Sequence, residues 1–82
     1  MTVRVLFFAS LRECVKRDET SSELADGATV AVLWKRLIEE FPLIEPMSGS
    51  VTFAVNREYV DRDHRLCEGD EVAVIPPVSG GL

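Results

Sequence analysis

Residues 68–77 read Glu68-Gly69-Asp70-Glu71-Val72-Ala73-Val74-Ile75-Pro76-Pro77, and the fold turns on them. Glu68-Gly69-Asp70 is a tight turn, where glycine supplies a left-handed backbone at little steric cost. Glu71 to Ile75 is a strand, with Val72 and Val74 on one face and Ala73 and Ile75 on the other. Two prolines then fix φ and remove two backbone donors, so sheet pairing stops and the chain leaves extended. The six residues from Pro76 to Gly81 span roughly 20 Å when stretched. Gly80 and Gly81 carry no side chains to obstruct a narrow channel, and they leave the carbonyl open to attack from either side. Ser-Gly-Gly alone is the composition of a frayed terminus. Directly after a stiff Pro-Pro, it reads as a probe held out from a folded body.

Upstream, the elements that would build that body follow from periodicity. Val3 to Phe8 alternates and is rich in β-branched and aromatic residues, so it is a strand, with Val3, Val5 and Phe7 on one face and Arg4, Leu6 and Phe8 on the other. Ser10 and Glu13 stand at capping-box spacing, which predicts a short helix over Leu11 to Lys16 with Leu11, Cys14 and Val15 on one face. Thr20 to Leu24 is a short polar strand. Thr29 is the expected cap of the clearest helix, in which Val30, Leu33, Trp34, Leu37 and Phe41 form one apolar stripe and Pro42 is the stop. The stripe is a core face, and Trp34 belongs to it rather than to a cofactor platform. Pro42 to Ser50 has no period and is a connecting loop. Val51 to Val55 is a strand, Asn56-Arg57-Glu58 a turn, Tyr59-Val60 a short return strand, and Asp61 to Arg65 an exposed charged stretch.

One amphipathic helix over one face of a mixed sheet, with a short first helix, is an α+β arrangement. The opposite sheet face must meet solvent or a partner. Phe8 and Ile75, out of phase with the core positions, are the candidates for an apolar patch there, and such a patch on a small domain marks an interface.

The 82 residues hold one small core and no room for both a cofactor pocket and a substrate pocket. Nine Lys and Arg against fourteen Asp and Glu give a net charge of −5. That balance excludes a sequence-independent nucleic-acid binder and disfavours an anionic membrane surface, while it steers the chain towards a basic partner. No apolar run is long enough to span a bilayer, and Met-Thr-Val-Arg-Val-Leu-Phe-Phe has none of the features of a signal peptide. Cys14 and Cys67 are too few for a disulfide scaffold or a zinc site, so reduced thiols in a cytoplasmic protein are expected. His64, among charges, is a solvated loop residue. No Cys–His–carboxylate set, phosphate-cradling glycine loop or H-E-x-x-H pattern is present.

Three stretches carry a family resemblance: Val5-Leu6-Phe7-Phe8-Ala9 leading into Leu11-Arg12-Glu13, then Ala54-Val55-Asn56, and Leu66-Cys67-Glu68-Gly69-Asp70-Glu71-Val72-Ala73 continuing through Ile75-Pro76-Pro77-Val78-Ser79-Gly80-Gly81. From end to end the chain resembles the small subunits of molybdopterin synthase, sulfur carriers of the β-grasp, ubiquitin-like fold. G-D-E-V-A followed by P-P-V-x-G-G is the most specific part. The resemblance implies a β-grasp domain over residues 1–75 and an extended tail over residues 76–82. It implies a carrier with no active site and no bound cofactor or metal of its own. An ATP-dependent partner would adenylate the Gly81 carboxylate, a sulfur donor would convert it to a thiocarboxylate, and the tail with Gly80 would enter the large subunit of a two-plus-two heterotetramer. There the sulfur would pass to cyclic pyranopterin monophosphate. Phe8, Ile75, Pro76, Pro77 and Val78 would lie in the interface with that subunit, and Arg12 and Tyr59 would border it.

The sequence departs from the family at one place. Those chains end at the second glycine, whereas Leu82 follows Gly81 here, so that Gly81 as written carries a peptide bond in place of a free carboxylate. An added residue, an extension removed by a protease, and a piece of a fusion or an inactive variant all remain open. Sulfur carriers for thiamine, cysteine or transfer-RNA thiolation share the Gly-Gly end, and a plain β-grasp interaction module is the alternative outside that class.

Overall fold

The computed structural model describes residues 1–77. β1 (Thr2–Phe7) is followed by α1 (Ala9–Val15), β2 (Glu19–Glu23), α2 (Val30–Glu40), a 3-10 helix (Pro42–Met47), β3 (Thr52–Val55), β4 (Glu58–Val60) and β5 (Glu71–Ile75). The strands form one sheet in the order β2-β1-β5-β3-β4. β1 and β5 are parallel, and the other three pairings are antiparallel, so the sheet is mixed as expected. First and last strands side by side at the centre, with one long helix crossing behind them, make a β-grasp fold.

The alternation read from the sequence sorts the faces. Val3, Val5 and Phe7 of β1, Phe53 and Val55 of β3, and Val72 and Val74 of β5 are buried against Val30, Leu33, Trp34 and Leu37 of α2. Edge-to-face pairs Trp34–Phe53 and Phe7–Phe41, each with centroids 5.7 Å apart, fix the helix against the sheet. At the start of α2, the Thr29 side chain accepts from Val32 N at 3.4 Å, as its sequence position predicts. Two more free donors of that first turn are taken by the 61–65 stretch: Val30 N donates to the carbonyl of His64 and Ala31 N to that of Arg62, both at 3.0 Å.

Several expectations are corrected. Ser10 does not cap α1. The helix begins at Ala9: the Phe8 carbonyl accepts from Leu11 N and Arg12 N, which puts Phe8 at the cap position, and its ring has no acceptor for a side-chain cap bond. Ser10 is thereby inside the first turn, where its hydroxyl has no orphan donor to meet. Pro42 to Ser50 is not an open loop: its first six residues form the 3-10 helix, pinned by the fully buried Ile44. Within the charged stretch, Arg62 is half-buried, with its guanidinium 5.2 Å from the Phe53 ring centroid and donating to the Ser48 carbonyl. Glu58 belongs to β4, so the β3–β4 connection is only Asn56-Arg57, with φ of 51° and 73°. Two positive φ values in a two-residue hairpin loop match the twist of the flanking strands.

Candidate functional site

β5 delivers the end of the described chain. Its last partner on β3 is Thr52, opposite Ile75, and its last partner on β1 is Phe7, opposite Val74. Pairing stops there because Pro76 and Pro77 have no N–H to offer. Pro76 is buried against the body and Pro77 is exposed, so the chain leaves the sheet at a defined point. Val78, Gly80 and Gly81 lie outside the described residues.

Beside this exit, on the sheet face away from α2, is a shallow groove of about 320 Å³ lined by Phe8, Ala54, Arg57, Tyr59, Ala73 and Ile75. Phe8 is 43% exposed and Tyr59 75% exposed, which leaves two aromatic rings at the surface. The hollow arises from register: Ala54 pairs across the sheet with Ala73 on one side and Tyr59 on the other, so two small side chains sit between larger ones. Three expected interface residues, Phe8, Tyr59 and Ile75, are therefore brought together. Arg12 is not among the lining residues; its guanidinium faces Asp18 at 3.8 Å on the exposed side of α1. Ala54 and Arg57 were not expected. Their signal is the pairing register, which the sequence alone does not display.

A second hollow of about 520 Å³, lined by Val51, Thr52, Phe53, Val60, Asp61, Arg62 and Asp63, is open and has Arg62 already engaged with Ser48 and Phe53. Cys14 is half-buried, Cys67 is exposed, and both are free thiols. Among the described residues no three His, Cys, Asp or Glu side chains converge as a metal cluster would require, and no helix is long and apolar enough to cross a membrane.

The family model that matches this sequence, over residues 5–81, is that of the ThiS family. The chain belongs to the ThiS family. The match extends through both glycines of the tail. Among curated ThiS-like relatives, the molybdopterin synthase sulfur carrier subunit of Chlamydomonas reinhardtii is 41% identical, over 99% of this chain and 100% of its own. The subunit of the same name from Escherichia coli (strain K12) is also 41% identical, over 96% of this chain and 99% of its own. Among solved structures, SAMP1 from Haloferax volcanii superposes with a TM-score of 0.89 at 25% identity, covering 99% of this chain and 100% of that one. The β-grasp architecture of this ThiS-family chain is thus shared with that structure.

Proposed function

We propose that this chain is the sulfur carrier subunit of a molybdopterin synthase, acting in the cytoplasm. The observation that carries the proposal is the 41% identity with a relative bearing that name, over 99% of this chain and 100% of the relative. The exit of β5 through Pro76-Pro77 beside an apolar groove supports it. Residues 1–75 are the body, and residues 76–82 are the part that carries chemistry.

The chemistry assigns each party its task. Hydrolysis of the Gly81–Leu82 peptide bond frees the Gly81 carboxylate. A carboxylate is a poor electrophile, so an ATP-dependent enzyme adenylates it, and AMP then leaves as a sulfur donor attacks the acyl carbon. The resulting thiocarboxylate is a good nucleophile. A net charge of −5 suits the carrier poorly to holding a phosphate-bearing substrate, so the pocket for cyclic pyranopterin monophosphate lies on the large subunit. The groove of Phe8, Tyr59 and Ile75, with Pro76, Pro77 and Val78, docks that subunit in a heterotetramer of two small and two large subunits. Gly80 and Gly81 pass through its channel because they have no side chains.

The test is a reconstitution with the large subunit and cyclic pyranopterin monophosphate, using a chain that ends at Gly81 and bears the thiocarboxylate. Formation of molybdopterin in stoichiometric amounts is the expected result. A thiocarboxylate that forms but yields no molybdopterin would assign the chain to another thiolation reaction. Failure to form a thiocarboxylate with the activating enzyme, ATP and a sulfur donor would leave a non-carrier interaction module.

A further inference from the structure

Arg57 occupies an expensive position. It is the second central residue of the β3–β4 hairpin, at φ 73°. Two-residue hairpins of this kind prefer glycine there, because any Cβ strains a left-handed backbone. Asn56, the first central residue, is among the few types that tolerate such a φ; arginine is not. Backbone strain held at a surface turn points to a use for the side chain.

The surroundings of Arg57 say what that use is. Among the described residues it is the one charged residue lining the groove; the other five are Phe8, Ala54, Tyr59, Ala73 and Ile75. Arg4 and Arg12 find carboxylates within the chain, Glu71 at 3.1 Å for Arg4 and Asp18 at 3.8 Å for Arg12. Arg57 makes no ion pair among the described residues. A purely apolar occupant would leave the exposed guanidinium at the groove's edge without a partner and gain nothing from its charge. A cationic occupant would be repelled. What fits is an apolar side chain seated on Phe8, Tyr59 and Ile75 with a carboxylate next to it.

We infer that Arg57 is a partner-selecting residue, which takes a carboxylate of the large subunit at the edge of the groove. The inference rests on the proposed synthase role and adds to it: apolar contacts set how tightly the subunit docks, and Arg57 sets which subunit and in what orientation. The acidic carrier thereby presents one cation where its partner presents an anion, against the overall sign of its own charge.

Affinity for the synthase large subunit from the same organism tests this, measured at low and high salt with the full chain. Arg57→Ala should raise Kd about five- to tenfold and Arg57→Glu considerably more, since like charges then face each other. The salt dependence of wild-type binding should flatten in Arg57→Ala. Arg57→Gly relieves the strained turn, so it should bind as weakly as Arg57→Ala while melting no lower than wild type, which separates recognition from folding. If Arg57→Ala and Arg57→Glu bind within twofold of wild type while Phe8→Ala and Ile75→Ala bind poorly, the Arg57 role is wrong and the synthase role stands. If the wild-type chain does not bind the large subunit, both are wrong.

Discussion

Asn56 and Asp70 are joined side chain to side chain: Asn56 Nδ2 donates to Asp70 Oδ1 at 3.0 Å. The Asn56 side-chain oxygen accepts from Glu71 N at 3.1 Å, and the other Asp70 oxygen accepts from Cys67 N at 2.8 Å. The β3–β4 hairpin is thereby bolted to the turn that launches β5, where Gly69 takes a φ of 81°. This clasp ties down the hairpin that carries Arg57 and Tyr59 to the groove. Asn56→Ala should cost about 1–2 kcal/mol, from lost hydrogen bonds and a Cβ-bearing residue at positive φ without a local partner. Asn56→Gly keeps the backbone conformation and loses only the bonds, so it should cost less. Thermal melts check both, at about 4–8 °C per kcal/mol for a domain of this size; an unchanged midpoint for Asn56→Ala would mean the clasp contributes nothing.

Neighbouring residues of the 3-10 helix should behave in opposite ways. Ile44 is fully buried, whereas Leu43 is 73% exposed. Ile44→Ala should destabilise by about 2–5 kcal/mol through the cavity it leaves. Leu43→Ala should stay within about 0.5 kcal/mol of wild type. Urea unfolding followed by circular dichroism measures both. Similar small losses for the two would mean that the segment is only a tether.

Phe8→Ala and Ile75→Ala should weaken association with the large subunit by about 1–3 kcal/mol, as expected of anchors that become buried on docking. Phe8 is outside the main core and Ile75 is half-buried on the sheet face away from α2, so neither loss should be explained by unfolding. Titration calorimetry alongside melting curves separates the two effects. Wild-type affinity in both variants would move the interface elsewhere.

Deleting Gly80 and Gly81 should end sulfur transfer while the large subunit still binds. The paired readouts are molybdopterin formation and complex formation by gel filtration. Persistent transfer would instead direct attention to the thiols, and replacing Cys14 and Cys67 with Ser would then abolish it.

Much of this was legible in the residues. Alternation marks β1, the short β-branched run between the Gly69 turn and Pro76-Pro77 marks β5, and the stripe from Val30 to Leu37 marks α2. Ser10 and Glu13 misled because S-x-x-E spacing also occurs within a helix, and only the end of β1 decides where the first turn starts. Ile44 was hidden because one buried residue between two prolines makes no period. Arg62 is indistinguishable in the sequence from its charged neighbours, although an arginine can lay its stem on an aromatic ring and keep its head bonded. Phe8 and Ile75 were legible as out-of-phase apolar residues. Ala54 and Arg57 were not, since they reach the groove through cross-strand register, a long-range property of the sheet.

The position of β5 also has a mechanical meaning. It is flanked by β1 over four register pairs and by β3 over four more. In the proposed synthase role, a partner that drew on the chain at Pro77 along the direction of β5 would load this strand lengthwise. Such a force shears both ladders together, so the bonds on both flanks share the load and must yield at once. A strand at the margin, such as β2, would instead peel open bond by bond. The end that the proposed carrier role would use is therefore tethered to a strand held on both flanks.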